Sequence, residues 1–418
     1  MDARGHVKKP KSKDGGTRAS SAISARGLDW FVFFLADVQT GFGPFIAVYL
    51  TANKWSQSDI GLLLTVGSLI VLFGQIPAGA LLDSLTTPLR VAAIAVSAIG
   101  LSALIFALSP TYLGAYTSRV MQASASCVLG PAIAAISLGL VARSKVAERL
   151  GRNASFASIG TALAAATMGL CGYYISNRAV FFVTAALAVP ALIALYSISP
   201  GDIDVKRAHG GDKQRFSGLK DALKFAAQHK TVFVFAFCVF LFHLANAAVL
   251  PIIAGNLTQR SSNTATIYIA AAMLLPQFVV AVISPWVGRM SQRFGRKIFL
   301  LIGFTALSVR IVLTSHITDP VVIVLIQSID GISAAILGVL VPVTVADLAQ
   351  GTGRFNTVQG FIGCAMGIGA SVSTTLGGFL ADRYTTSTAL MTLGTVAAVA
   401  TIVVWLTMPE TLREDDDA

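Results

Sequence analysis

The sequence predicts an all-α polytopic membrane protein, with twelve transmembrane helices in two pseudo-symmetric six-helix bundles. Three observations predict it: a composition that is 55% hydrophobic and only 12% charged, twelve long apolar segments, and a pattern that repeats between the two halves. Soluble domains carry about 25% charged residues because their surface faces water. Lipid removes that requirement, so we expect a membrane protein.

The apolar segments define the predicted spans. A helix needs about 20 apolar residues to cross the hydrocarbon core of a bilayer. Spans 1 to 12 are predicted at 28–50, 58–82, 89–108, 112–142, 153–175, 178–199, 231–254, 266–288, 297–316, 320–347, 354–380 and 385–408. The rest of the chain is predicted to form a disordered basic tail at 1–27, a cytoplasmic linker at 200–230 and an acidic tail at 409–418. The two bundles then cover 28–199 and 231–408.

The positive charges predict the orientation. If the N-terminus is cytoplasmic, 25 of the 31 Lys and Arg residues fall in inside segments and only four in outside loops. Loops rich in Lys and Arg stay in the cytoplasm. Both termini are therefore expected there, in a plasma membrane such as the bacterial inner membrane. The net charge of +11 comes from Lys and Arg residues that cluster in these segments, where they set topology, and no nucleic-acid partner is expected.

Two further features carry little chemistry. The four cysteines lie inside apolar segments without CxxC or metal-ligand spacing, so we expect neither a disulfide framework nor a metal site. In the linker, Phe216, Leu219, Leu223 and Ala226 follow helical spacing. With this spacing the segment can form a short amphipathic helix on the inner leaflet, or it can be a solvated linker, and both alternatives stay open.

Three patterns recur between the halves. In spans 5 and 11, Asn153 with Gly160 matches Asn356 with Gly363 at an offset of 203. Spans 4 and 10 match at an offset of 208 residues, and the loops after spans 2 and 8 match at an offset of 209 residues. The matched pairs are Arg119 with Gln327, Gly130 with Gly338, Gly79 with Gly288, and Asp83 with Gln292. Such a recurrence predicts a duplicated six-helix unit.

This organisation resembles the major facilitator superfamily over almost the whole chain. The most specific element is the loop Gly288-Arg-Met-Ser-Gln-Arg-Phe-Gly-Arg-Lys297, which is similar to the family pattern G-x-x-x-D-R-x-G-R-K. Gln292 replaces its acid. The copy after span 2 keeps Asp83 but has lost most of the basic half. The resemblance implies a gate in which Asp83 acts as a latch at a helix end and Gln292 leaves the second latch weaker. The implied gating residues are Gly79, Asp83, Arg90, Gly288, Arg293, Gly295 and Arg296.

Span 4 adds a finer resemblance. Arg119-Val-Met-Gln122 is similar to the R-x-x-Q-G signature of proton-linked members, with Ala123 in place of the glycine. Together with Asp37 in span 1, it is closest to bacterial drug:proton antiporter-like members. Span 5 lacks the Gly-Pro step that is associated with antiporters, which argues against export.

In this fold, spans 1, 4, 7 and 10 line a central cavity near the bilayer midplane. The polar residues on these spans are the candidates for transport. For proton coupling they are Asp37, Arg119 and Asp330, and for the substrate cavity Gln39, Gln122, His243, Asn246 and Gln327. An ionisable side chain inside a span costs about 2.5–3.5 kcal/mol on insertion scales, so such residues usually serve a function.

We expect Asp37 to pair with Arg119 in a protonation-dependent way, although a static pair would also explain both residues. For Asp330 a functional role and a structural one are evenly matched, and Arg310 is its candidate partner. For Arg310 itself we favour a structural role. His243, a lone histidine on an apolar face, is interpreted as a packing residue in preference to a functional one.

The predicted function is a secondary transporter for a small organic solute, working by alternating access as a monomer and driven by protons. Proton-coupled efflux is favoured, and proton-coupled uptake of an organic solute or a metal chelate is the alternative. A non-transporting membrane sensor is a third possibility. No Walker, HExxH or paired acidic motif is present, so we expect neither ATP coupling, an enzyme nor a cofactor.

Overall fold

The computed structural model describes residues 21–40, 45–212, 224, 225, 228–260 and 262–412. Most of the predicted N-terminal tail, most of the predicted amphipathic helix at 216–226 and residues 413–418 lie outside these ranges. All regular elements within them are helices, which confirms the predicted fold class.

Helices occupy all the predicted spans. Spans 1 and 7 each contain two helices, Ala22–Thr40 with Phe45–Ala52 and Lys230–Asn246 with Val249–Arg260. The other spans are Gln57–Ser84, Pro88–Leu108, Tyr112–Leu140, Val146–Tyr174, Ala179–Tyr196, Ser262–Phe294, Arg296–His316, Pro320–Leu348, Phe355–Arg383 and Thr386–Thr407. In the described part of the chain, eleven helical segments are long and apolar enough to cross a membrane. The linker adds a short helix, Val205–Ala208.

Short polar side chains cap the N-termini of several of these helices. The hydroxyl of Ser56 accepts the N–H of Asp59 at 3.1 Å at the start of span 2, and that of Thr111 accepts the N–H of Gly114 at 3.2 Å at the start of span 4. The first amides of a helix have no partner within the helix, so such caps define where it starts. The polar loops thus set the ends of the apolar helices.

The two halves pack in the same order. Span 1 lies against spans 5 and 6, span 3 against spans 4 and 6, and span 2 against span 4. The C-terminal half repeats these contacts. Span 7 lies against spans 11 and 12, span 9 against spans 10 and 12, and span 8 against span 10. Between the halves, span 2 contacts span 11 and span 5 contacts span 8. The duplicated six-helix unit predicted from the sequence is thus visible in the packing.

Glycines allow the backbones of the two halves to meet. A Cβ at Gly79 would collide with the carbonyl oxygen of Asn356, and a Cβ at Gly288, 209 residues later, would collide with that of Ala147. The pairs Gly360 with Gln75 and Gly151 with Ser284 show the same relation. Close approach of this kind requires residues without side chains.

One part of the predicted repeat is corrected. A Cβ at Gly160 would collide with the carbonyl oxygen of Phe33, and a Cβ at Gly369 with that of Phe240. The structural counterpart of Gly160 is therefore Gly369 at an offset of 209, and not Gly363 at 203. The Asn-to-Gly spacing misled because Gly-rich helices match by chance at several offsets.

Candidate functional site

One end of the bundle carries both described ends of the chain. The hydroxyl of Ser21 donates to Asp202 at the start of the linker at 2.8 Å, and that of Thr411 donates to Asp347 at the end of span 10 at 3.1 Å. We call this end the terminal face. Here the ends of spans 2, 4, 8 and 10 meet the starts of spans 3, 5, 9 and 11.

At the terminal face, Asp83 caps a helix of the opposite half. Its Oδ1 accepts the backbone N–H and the side-chain Nδ2 of Asn356 at 3.0 and 2.7 Å. Its Oδ2 accepts the N–H and the hydroxyl of Thr357 at 2.8 and 2.7 Å. The carboxylate is 2% exposed, and it faces the positive end of the dipole of span 11. Asp83 thus joins the two halves at the position where the sequence predicts a latch.

A second connection between the halves passes through Asp347. Its Oδ1 lies 3.5 Å from Nη2 of Arg143 in the N-terminal half, and its Oδ2 lies 3.3 Å from Nε of Arg296 in the C-terminal half. Arg296 is 3% exposed and also donates to Gln292 at 2.9 Å. Gln292 thus bonds within its own half instead of capping span 5 as Asp83 caps span 11.

Gly295 and Glu410 shape the start of span 9. Gly295 has φ +95°, a left-handed conformation that favours glycine, and a Cβ there would collide with the Glu410 carboxylate. That carboxylate accepts the N–H groups of Arg296 and Lys297 at 2.8 and 3.0 Å. Glu410 therefore caps span 9, a role that its sequence context does not reveal.

The remaining candidates at this face make fewer contacts. Arg90 and Arg293 are exposed, and the Arg293 guanidinium lies 5.3 Å from the ring centroid of Phe294. Their exposure fits residues that set topology. Of the basic residues in the loop between spans 8 and 9, Arg296 is the one that is buried in the network.

The halves are joined toward the terminal face and separate away from it. Among the described residues, the hydrogen bonds and ion pairs that join them lie in the terminal-face part of the spans. Of these contacts, the hydrogen bond farthest from the terminal face is donated by Ser155 Oγ to the carbonyl oxygen of Ala281, over 2.6 Å. In span 11, Phe355 and Val358 are buried, whereas Ser371 and Thr375 toward the far end are exposed. This conformation is closed at the terminal face.

Asp37 lies buried in span 1 against span 5. It is 4% exposed, and its Oδ1 has no hydrogen-bond partner among the described residues. A Cβ at Gly160 would lie 3.2 Å from this oxygen, so the glycine leaves space beside the carboxyl group. A buried carboxyl oxygen without a donor is costly, which marks Asp37 as a candidate functional group.

Arg119 does not pair with Asp37 in this conformation. Its Nη1 donates to Gln122 at 2.7 Å, and Gln122 donates to Ser126 at 3.0 Å. The guanidinium lies against Gly67 of span 2, where a Cβ would collide with its Nε atom. The expected ion pair is thus replaced by a hydrogen-bonded row along span 4.

The C-terminal half contains a network around Arg310. This residue of span 9 is 2% exposed, and its Nη1 lies 2.9 Å from both Asp330 Oδ1 and Gln327 Oε1 in span 10. Its Nη2 donates to Asn246 in span 7. Three of the predicted candidates therefore meet at one guanidinium. The sequence suggests Arg310 as the partner of Asp330, but not as the centre of this network.

Two candidates remain apart from these networks. His243 Nδ1 lies 3.1 Å from the carbonyl oxygen of Val239 in its own helix, a contact typical of a packing histidine. Gln39 is exposed, two residues beyond Asp37. In this structure neither residue joins the networks around Arg119 and Arg310.

A buried ionic cluster at the start of span 5 escapes the sequence analysis. Asp29, 2% exposed, accepts hydrogen bonds from Arg149 and Arg152. Arg149 also donates to Asn153, which donates to Ser137 of span 4 at 2.7 Å. An acid eight residues before Asp37 in the same helix is the sequence signal for this cluster. It ties spans 1, 4 and 5 into one unit.

Two similar helical halves, joined at one face and enclosing buried polar groups, form the architecture expected of a secondary transporter. Comparison with known proteins agrees. The sequence profile of the Major Facilitator Superfamily matches residues 29–240 and 232–418, and the chain belongs to this family. It is a family of transporters and not of enzymes.

Similar proteins support the assignment. An MFS-type transporter of Mycobacterium tuberculosis is 34% identical over 397 residues, 94% of each chain. Multidrug resistance protein 1 of Bacillus subtilis is 32% identical over 123 residues, 29% of this chain and 31% of that protein. The crystal structure of the human organic anion transporter MFSD10 shares the fold, with a TM-score of 0.71 at 13% identity, over 92% of this chain and 100% of that one.

Proposed function

We propose that this protein exports a small organic solute in exchange for protons, by alternating access, with Asp37 as the proton-binding group. The observation that carries the proposal is a 4% exposed carboxyl within a span, with one oxygen lacking a donor among the described residues. The partial similarity to Multidrug resistance protein 1 favours export. So does the combination of Asp37 with the Arg-x-x-Gln sequence of span 4.

The distribution of charge supports a cytoplasmic terminal face. The loops and tails assigned to that side contain 25 of the 31 Lys and Arg residues, which is the bias expected of inside segments. The chain then lies in a plasma membrane, the bacterial inner membrane in the proposal, with both termini inside. The described conformation is accordingly closed to the cytoplasm and ready to take up a proton from outside.

The proposed cycle uses Asp37 and Arg119 in two arrangements. In the outward state Arg119 donates to Gln122, and Asp37 receives a proton from the external side. When the halves rock and the cytoplasmic side opens, Asp37 releases the proton, and Arg119 becomes available to hold the carboxylate. Arg119 suits this role because a guanidinium stays charged and binds carboxylates through two donors.

The solute site is proposed between the halves, on the polar residues of spans 4, 7 and 10. In this proposal, the C-terminal half forms one wall with Asn246, Gln327 and Asp330, which Arg310 holds together, and the N-terminal half forms the other wall with Gln122. Both signs of charge are present, which suits a polar, zwitterionic or amphipathic organic molecule. Asp330, already paired with Arg310, is proposed to serve this wall, and Asp37 to carry the proton.

The test is transport by the purified protein in liposomes with an imposed pH gradient, screened across organic solutes, with Asp37→Asn alongside. Export is supported when the solute moves against the direction of the protons and Asp37→Asn loses this coupling. Movement of solute and protons together would overturn export in favour of uptake of an organic solute or metal chelate. If no solute moves, the sensor alternative gains support.

A further inference from the structure

The linker between the halves lies on the terminal face. The N–H of Asp204 donates to the carbonyl oxygen of Gly139 at 3.0 Å, and Arg207 Nη1 donates to that of Val141 at 3.0 Å. Both acceptors lie at the end of span 4. Asp204 also caps the short helix Val205–Ala208, which turns the chain toward span 11. We call residues 203–211 the strap.

The strap caps span 11 together with Asp83. The carbonyl oxygen of His209 accepts the N–H of Phe355 at 3.2 Å, and Asp83 accepts the N–H groups of Asn356 and Thr357. Three successive amides at the start of span 11 are thus satisfied from outside their own half. The His209 ring is fully buried, with Nδ1 3.7 Å from Asp83 Oδ1.

Two glycines allow the backbone of the strap to pack closely against the loop before span 11. Gly210 and Gly211 have φ +71° and +155°. A Cβ at Gly211 would lie 2.7 Å from the nitrogen of Gly353 and 2.8 Å from the carbonyl carbon of Gly351. Contacts this short leave no room for a side chain, so the backbone of the strap rests directly on that loop.

From these contacts we infer that the strap is a working part of the gate, which holds the terminal face closed and must leave span 11 before that face opens. It is bound to the N-terminal half at Gly139 and Val141 and to the C-terminal half at Phe355. When the halves separate at this face, one set of contacts breaks. The linker therefore stabilises the conformation that is closed at the terminal face, in addition to connecting the two bundles. The inference rests on the proposed function only in requiring that this face opens.

The test is hydrogen exchange of the full chain in lipid nanodiscs, resolved to single amides by fragmentation. Gly211→Val removes the seat of the strap. Gly201→Val is the matched control, because Gly201 lies in the same linker and a Cβ there meets only Ser199 Oγ, at 3.7 Å. If the strap holds the gate, Gly211→Val speeds exchange at Phe355, Asn356 and Thr357 alike by about tenfold or more, and the control leaves all three unchanged.

The bonding pattern separates the outcomes. The Phe355 amide bonds to the strap, whereas the amides of Asn356 and Thr357 bond to Asp83. Faster exchange at Phe355 alone would overturn the inference, because the gate would have stayed closed without the strap. Unchanged exchange at all three would do the same. Amides within span 9 report on folding, and Gly211→Ala replaces the valine variant if these lose protection. No substrate is needed, so the result does not depend on the proposed export.

Discussion

Asp83 at the end of span 2 holds the backbone N–H and the hydroxyl of Thr357 at 2.8 and 2.7 Å, 274 residues further along the chain. This carboxylate lies at the boundary between the two halves. Its negative charge compensates the positive end of the helix dipole at the first turn of span 11. Hydrogen bonds to a charged group contribute about 1.5–3 kcal/mol each when buried. Asp83 is therefore a position at which closure of the terminal face can be tested with a single substitution.

Asp83→Asn is therefore expected to favour opening of the terminal face. The amide keeps the shape of the carboxyl group but has one acceptor oxygen in place of two, and its nitrogen opposes the donors of Thr357. We expect the ratio of closed to open molecules to fall by about 10- to 100-fold, from the loss of about 1.5–3 kcal/mol. Spin-label distances between the end of span 2 and the start of span 11 would measure it.

The control for this change is Asp319→Asn, because Asp319 is an exposed N-cap of span 10 and asparagine caps a helix about as well as aspartate. An unchanged distance distribution in Asp83→Asn would show that packing, and not the carboxylate, keeps the face closed.

Two glycines give a matched pair for the packing at this face. A methyl group at Gly79 would collide with the backbone of Asn356, whereas at Gly130 a Cβ has no atom within 4 Å. Gly79→Ala is expected to push spans 2 and 11 apart and to cost about 1–3 kcal/mol through overpacking. Gly130→Ala is expected to be neutral or to stabilise by up to about 1 kcal/mol, because alanine favours the helix more than glycine does. Thermal unfolding in nanodiscs compares the two, and equal midpoints would contradict the close contact.

Asp37→Asn tests the proton site. Because the carboxyl is buried with an oxygen lacking a donor, its replacement by a neutral amide is expected to leave thermal stability unchanged or slightly higher. Solute exchange driven by a pH gradient is expected to be lost, while movement down a solute gradient continues. Asp382→Asn, at an exposed site of span 11, is the matched control. Retained coupling in Asp37→Asn would move the proton site elsewhere.

Arg149 and Arg152 bind the same carboxylate but differ in burial. The side chain of Arg149 is 6% exposed and that of Arg152 is 54% exposed. Arg149→Ala leaves Asp29 partly uncompensated in the interior and is expected to cost about 3–5 kcal/mol. Arg152→Ala removes a hydrated partner and is expected to cost no more than about 1 kcal/mol. Chemical denaturation in detergent measures the difference, and equal losses would show that burial is not the deciding factor.

Arg310→Gln is expected to destabilise the C-terminal half by about 3–5 kcal/mol, because Asp330 loses its ion-pair partner and Gln327 and Asn246 lose a donor. The double variant Arg310→Gln/Asp330→Asn is expected to recover part of this loss, since no unpaired charge remains. Arg293→Gln, at an exposed site, serves as the control. Additive losses in the double variant would argue against the pair.

The sequence predicts the spans well and their partners poorly. Apolar length and the positions of basic loops are local properties, so the helix from Pro88 to Leu108 could be predicted to within one residue. A latch role for Asp83 is predicted from a motif, whereas its acceptance of the Asn356 and Thr357 amides depends on how the halves dock. In this conformation Arg119 donates to Gln122, three residues away on the same helix, and not to Asp37.

By itself the sequence determined the membrane class, the helical spans, the duplicated unit and the side on which positive charge collects. These follow from composition, period and spacing, which a chain carries without folding. Only the tertiary structure decided that Arg310 gathers Asn246, Gln327 and Asp330, and that His209 and Asp83 share the start of span 11. The physical reason is that hydrogen bonds and ion pairs act over about 3 Å, between residues that packing brings together from distant parts of the chain.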